Sequence, residues 1–473
     1  MKKLKRLLTA ACMVLATAGT ASAVDVKVSG QWYFHYGYYS NNSLTKNSET
    51  GAHADRTFAR QRIRTQVEFV ADETLSALLN MEANMDWGST RTGVNAGYGG
   101  LDADNTTFVI KRAHLDWTIP ETGIRTRMGI QGIAMPSVVA GNPIMDADVA
   151  GVMVSNRFTP ELGLTVFWAR PYDNGFQGND QANGRNLHDE MDLFGVTLPI
   201  TTQYVRATPW AMFAMIGKDS DYFGDRGIAS ALGGSGRNRG RALINPENAN
   251  DQIYAWWAGS TFELPVIDPF LLRIDGILGG IRTGDSDSNA FGYFLAGEFG
   301  YKFAFGILSA RGWYASGDKD EDDRGIIPVI SDDNGFALTR YALAGTYNRS
   351  WERLLSGSGV GMWGIGLQLA DVSFIEDLTH TVGVYYMGGT NKGDSSPRRS
   401  LRDAPGDQRF GNEFLMSSDR AWEVDFLNEY KVSDNLSVSL DFAYVQLELG
   451  DHWEDKDDTE GSFATMVGLM YSF

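Results

Sequence analysis

Three arginines spaced two apart, Arg60, Arg62 and Arg64, are followed in the same phase by Gln66 and Glu68. On a strand, residues i, i+2 and i+4 share one face, so this segment would present a row of guanidinium groups. Such a row supplies fixed positive charge and hydrogen-bond donors, but it contains no nucleophile. Arg112, Arg125 and Arg127 fall on the polar phase of the fourth and fifth strand-like segments and would extend the basic wall. Covalent chemistry has one weak candidate. Gly284-Asp285-Ser286 and Asp377-Leu378-Thr379-His380 carry a hydroxyl, a carboxylate and an imidazole, but the first lies in a predicted outer loop and the second beside a predicted turn at the opposite end, too far apart for a nucleophile and its base. The histidines at 35, 53, 114, 188, 380 and 452 form no pair at ligand spacing, and no glycine-rich loop joins a strand to a helix. No catalytic residue, metal site or cofactor is therefore expected. The acidic runs at 318–323 and 451–458 lack the order of a calcium loop and read as solvated loops.

The elements carrying the arginines alternate with period two. From Val24 the chain sets Val24, Val26, Val28, Trp32, Phe34, Tyr36 and Tyr38 against Asp25, Lys27, Ser29, Gln31 and His35. Leu75 to Trp87 and Val109 to Ile119 repeat the pattern, over lengths greater than most soluble strands and suited to a tilted membrane strand. A row of arginines on the lipid side would cost about 2–4 kcal/mol per residue at the midplane, so the row must face a water-filled interior or its rim. Short turns, such as 71–74, 120–123, 159–161 and 433–435, alternate with long polar connections at about 39–57, 88–105, 131–149, 170–188, 217–251, 317–335, 390–418 and 450–461. Tryptophans 32, 117, 168, 256, 257, 313, 422 and 453 stand at strand ends, as interface girdles require.

The expectation is an all-β transmembrane antiparallel barrel with short periplasmic turns and long extracellular loops. Strand-like stretches number nineteen, an odd count incompatible with both ends on one side. Reading 336–360 as a loop excursion leaves eighteen, with sixteen as the alternative; Pro209 also weakens the stretch 204–216. The last strand places Val467, Leu469, Tyr471 and Phe473 on one face and resembles the assembly signal of outer-membrane proteins, which implies the barrel-assembly machinery as a partner. In a soluble protein it would be a free apolar edge.

Residues 1–23 have a basic start, an apolar run from Leu7 to about Ala18, and Ala21-Ser22-Ala23, the pattern of a secretory signal peptide. Residues 24–473 then form a single barrel domain of 450 residues without cysteine, since the one cysteine is Cys12. Losing four basic residues takes the formal charge from −18 to −22, which disfavours nucleic acid as a partner. No stretch of 18 apolar residues follows Val24, so helical membrane spans are excluded.

The third long connection, 131–149, is small and apolar for an exposed loop, with Met135-Pro136 and Gly141-Asn142-Pro143, and suits a loop folded inward. With these features the whole chain resembles the general trimeric porins, and in particular the outer-membrane homotrimeric porins of sulfate-reducing bacteria. The resemblance implies passive diffusion of small hydrophilic solutes and ions, a homotrimer whose second loop, Gly88 to Asn105, reaches a neighbour, and contact with outer-membrane lipid and lipopolysaccharide. It also implies a constriction in which Asp146 and Asp148 on the inward loop face Arg60, Arg62 and Arg64 on the wall. Two other readings stand beside it. The arginines could simply pair with lumen carboxylates such as Glu68, Glu82 and Asp116, and the channel could be selective for a sugar or an organic anion.

Overall fold

A computed structural model describes residues 24–41, 44, 55–88, 98–99, 108–173, 190–217, 252–283, 289–317, 325–330, 336–343, 359–392, 415–451, 453 and 456–473. The expected signal peptide, Ser286 and most of the second loop lie outside them. Eighteen antiparallel strands form one closed barrel. In chain order they are β1 (Asp25–Ser40), β2 (Arg56–Val70), β3 (Leu75–Trp87), β4 (Phe108–Thr118), β5 (Arg125–Ala134), β6 (Asp146–Arg157), β7 (Gly163–Tyr172), β8 (Met191–Thr197), β9 (Arg206–Ile216), β10 (Ile253–Glu263), β11 (Phe270–Arg282), β12 (Ala290–Phe303), β13 (Gly306–Ala315), β14 (Met362–Ile375), β15 (Leu378–Gly389), β16 (Arg420–Ser433), β17 (Leu436–Glu448) and β18 (Ser462–Ser472). Two-residue pairings at 98–99 and 200–201 join the same sheet. Each strand pairs with the next, and β18 closes on β1 from Gln31↔Ser472 to Ser40↔Phe463. Gly30 and Phe473 exchange both backbone hydrogen bonds at the seam. Closure removes the edge that the last strand would otherwise expose.

The alternation of side chains is what selects this fold. Along β12, Gly292, Phe294 and Ala296 are buried while Phe291, Tyr293, Leu295 and Phe299 are exposed on the outside. A belt of large apolar residues on every outer face needs a non-aqueous surrounding. Short turns close one end. Asp72 caps the β2–β3 turn by accepting from Thr74 Oγ1 and Thr74 N, both at 2.7 Å, and from Leu75 N at 3.0 Å. These bonds, the Thr74 hydroxyl first, hold its carboxyl below the usual carboxylate range.

Residues 336–343 form no strand, which accounts for the surplus stretch in the sequence reading. Pro209 does sit within β9, opposite Ser260; its carbonyl accepts from Leu198 N, on the side where the neighbouring strand ends at Thr197. The girdle reading is corrected for three tryptophans. Trp117, Trp168 and Trp256 are exposed on the outer face, whereas Trp257, Trp313 and Trp453 are buried. Buried indole N–H groups need acceptors, and loop carbonyls or a carboxylate supply them: Trp257 donates to Pro328 O at 2.7 Å, Trp313 to Gly359 O at 3.1 Å and Trp453 to Asp419 at 3.1 Å. Gly364, opposite Trp313, leaves room for that ring; a side chain there would run into it.

The apolar core lies inside the barrel. Met135, Val139, Ile144 and Met145 from the connection β5–β6 pack with Ile327, Val329, Phe336 and Leu338 from the connection β13–β14, against Leu193, Trp257, Ile281, Phe294 and Trp313 of the wall. These two connections, the third and seventh at the loop end, bond to each other through Ile330 N to Ile144 O and Ala337 N to Ala140 O. An inward-folded third loop is what the sequence predicts; the seventh folds in with it.

Candidate functional site: the charged lumen wall

The arginine row is set by register. Arg60, Arg62 and Arg64 of β2 stand opposite Asp86, Asn84 and Glu82 of β3. Arg60 reaches Asp86 at 2.6 Å, Arg62 Nε donates to Asn84 Oδ1 at 2.6 Å and lies 3.7 Å from Glu82, and Arg64 Nε donates to Glu82 at 2.5 Å. Arg62 and Glu82 are buried. An antiparallel pair places opposed residues on the same face, so a period-two arginine row on one strand and the Asp86, Asn84, Glu82 row on the next make a charged wall without help from a loop.

The remaining predicted residues are spread over three strands, β4, β5 and β6. Arg127 of β5 forms two bonds with Asp116 of β4, at 2.6 and 3.1 Å, as their register dictates. Arg125 stands opposite Thr118 near the turn end. Arg112 pairs with Asp148 at 2.6 Å, and Lys111 joins them at 3.0 Å. Asp146 and Asp148 lie at the start of β6, in the phase of Val152 and Val154, whose partners Trp168 and Val166 are exposed on the outer face. Their placement is with Lys111 and Arg112, whereas Arg60, Arg62 and Arg64 contact the carboxylates of β3. Among the described contacts the facing arrangement implied by the resemblance does not occur; pairing of arginines with Glu82 and Asp116 does. Val467, Leu469 and Tyr471 share the outer face of β18, and all three are exposed with Phe473.

The sequence reading missed the far wall. Arg273 of β11 and Arg311 of β13 both approach Glu298 of β12, at 3.2 and 3.5 Å. Arg311 also donates to Val139 O of the third loop at 2.6 Å. Asp275 of β11 accepts from Ser137 Oγ at 2.6 Å and from the backbone N–H of Val138 and Val139 at 3.0 Å. Glu423 of β16 grips the seventh loop in the same way, accepting from the N–H of Arg340, Tyr341 and Ala342 at 3.0, 2.6 and 2.9 Å. The signal for these was parity: Arg273 and Asp275, like Glu423 and Asp425, are i, i+2 pairs of polar residues inside apolar strands. Which loop each one holds is a matter of tertiary contact.

In most of these lumen pairs the cation is the more exposed partner. Side-chain exposure is 29% for Arg64 against 7% for Glu82, 36% for Arg273 against 7% for Glu298, and 22% for Arg340 against 0% for Asp441, its partner on β17 at 3.5 Å. Arg206 and Glu263 follow the same order, Arg62 and Glu82 are equally buried, and Arg60–Asp86 reverses it. At Arg64, Arg273, Arg340 and Arg206 the carboxylate is set back in the wall and the guanidinium fronts the interior.

No family model and no curated protein sequence matches the chain. Solved structures do resemble it in fold. Pseudomonas aeruginosa OccK5 (OpdH) is 14% identical with a TM-score of 0.52, the match covering 95% of this chain and 98% of that one. Pseudomonas aeruginosa OpdK, crystallised with vanillate, is 10% identical with a TM-score of 0.53, over 94% and 98%. Acinetobacter baumannii OccAB3 is 10% identical with a TM-score of 0.52, over 94% and 99%.

Proposed function

We propose that the chain is a bacterial outer-membrane channel for small hydrophilic solutes, with a preference for organic anions. The observation carrying the preference is the exposure asymmetry of the lumen ion pairs. In a narrow passage the charges that line it dominate permeation over charges carried elsewhere on the molecule, so the front rank of guanidinium groups outweighs the formal −18. An apolar exterior, a closed barrel and two inward loops support the channel reading, and the likeness in fold to OpdK crystallised with vanillate, an aromatic carboxylate, supports anions as cargo. An aromatic track for sugars is disfavoured, because the inward rings of Tyr33, Tyr39, Phe58 and Tyr341 are buried rather than offered to a solute. Catalysis finds no support at the described half of the Ser/Asp/His set: His380 Nδ1 lies 2.6 Å from Asn428 Oδ1, with its ring stacked on Phe426. Export by a signal peptide cleaved near Ala23 and assembly as a homotrimer belong to the same proposal; threefold closures would report the trimer.

The test is conductance and reversal potential of the purified protein in a planar bilayer under a potassium chloride gradient. Chloride should carry most of the current, and vanillate should permeate better than a neutral solute of equal size. Absence of conductance would sink the channel; a cation preference would sink the anion reading and leave an unselective porin as the alternative.

A further inference from the structure

We propose that Arg340, at the tip of the seventh loop, is the loop-borne selectivity charge of the passage, acting beside the arginine row of β2 in place of the acidic third-loop residues that the resemblance implies. The inference rests on the anion-channel reading and adds a residue and a loop to it.

The two inward loops are fastened to different arcs of the barrel. The third loop is held by Asp275 and Arg311, on β11 and β13. Residues 340–342 of the seventh are held on β16, β17, β18 and β1, consecutive neighbours around the wall that lead to the arginine row of β2. Tyr341 stacks on Tyr39 of β1 at 5.6 Å, Tyr39 stacks on Phe58 of β2 at 5.2 Å, and the Arg60 guanidinium lies over Phe58 at 5.0 Å. Tyr341 Oη and Ser462 Oγ of β18 are 2.8 Å apart. A column of three rings thus joins the loop tip to the outermost arginine of the row.

The clamp on this tip uses backbone, not the arginine side chain. Arg340 N–H is bonded to Glu423 and to Asp425, each at 3.0 Å, and the next two N–H groups to Glu423. Three successive N–H groups converging on one buried carboxylate fix the turn whatever side chain stands at position 340. The guanidinium adds a contact to the wall, at Asp441, beyond this backbone clamp. It reaches Asp441, which is fully buried, while itself remaining partly exposed, the same disposition as Arg64 over Glu82. Positions 64 and 340 then present partly exposed cationic groups from wall and loop, with Arg62 buried behind them.

The experiment uses the full chain in a Cys12→Ser background, so that an introduced cysteine is the only thiol, and bilayer recordings as above. Arg340→Gln should lower the chloride-to-potassium permeability ratio by about fivefold, the scale of one unit charge at about 4 Å in water. Arg340→Lys should restore it. Arg340→Cys should be labelled by an anionic methanethiosulfonate faster than by a cationic one, with a step down in current. If Arg64→Gln shifts the ratio and Arg340→Gln does not, with Arg340→Cys unreactive, the loop assignment is overturned and the channel reading stands; Arg340 is then only the counter-charge of Asp441. If neither variant moves the ratio, the anion reading falls with it. Heat-modifiable migration of each variant checks that the barrel has formed, and the lysine and cysteine variants decide the matter if the glutamine variant does not fold.

Discussion

Glu82 sits between two guanidinium groups, bonded to Arg64 and close to Arg62, and is buried on the wall of β3. Removing one partner of a buried ion pair leaves an uncompensated charge, at a cost of about 3–5 kcal/mol. Glu82→Ala should therefore lower stability by that order, measured by urea unfolding in detergent, and should raise chloride preference in bilayers because Arg62 and Arg64 lose their counter-charge. Unchanged stability would mean that the pair is solvated. Asp72 offers a test at the turn end. Its carboxyl is held below the usual range by the Thr74 hydroxyl and the turn amides. The stability it contributes is fully present above the unfolded-state value and is lost only as pH falls through the lowered folded value; Asp72→Asn should therefore flatten the acid limb of a stability-against-pH curve below the ordinary aspartate range. Identity and spacing made the arginine row legible in the sequence, since three arginines at i, i+2 and i+4 can share only one face of a strand. Their partners were legible only as a class, because the register that brings Arg64 to Glu82 is a property of two strands.

At the scale of elements, the strands are simple to account for and the loops are not. Alternation along β1, β3 and β4 follows from the sequence; so does the loop that replaces a strand near 336, once an even count is required. The third loop could be read as inward from its small and apolar residues. The seventh could not, because its anchors, Glu423 and Asp425, lie about eighty residues further along the chain. Two carboxylates, Asp275 and Glu423, fix the two loops by the same device, consecutive N–H donors converging on one buried acceptor. Asp275→Ala leaves the Val138 and Val139 N–H groups without that acceptor, and a buried unsatisfied donor costs about 1–3 kcal/mol. The expected result is excess open-channel noise and a larger mean conductance, with the barrel still heat-modifiable; a quiet channel of wild-type size would show that Arg311 and the apolar contacts suffice to hold the loop.

For the whole molecule, outer apolar faces and an inner charged wall follow from one alternating pattern closed upon itself. The field of the inner wall should be sensitive to salt. The Debye length falls from about 10 Å at 0.1 M to about 3 Å at 1 M, so the chloride-to-potassium permeability ratio should decline towards unity across that range, read from reversal potentials at fixed gradient. A ratio independent of salt would place the selective charges where bulk ions do not reach.

By itself the sequence determined that the chain is an all-β barrel of even strand number with one polar and one apolar face, because period-two patterning and the two classes of connection depend only on local order along the chain. Tertiary structure decided which charges meet. Asp148 went to Lys111 and Arg112 at the start of β6, Trp257 and Trp313 turned inward to satisfy loop carbonyls, and the seventh loop came to rest beside the arginine row. The physical reason is that a strand's pattern fixes the face on which a side chain lies, whereas its partner depends on register, on closure and on loops that cross the interior.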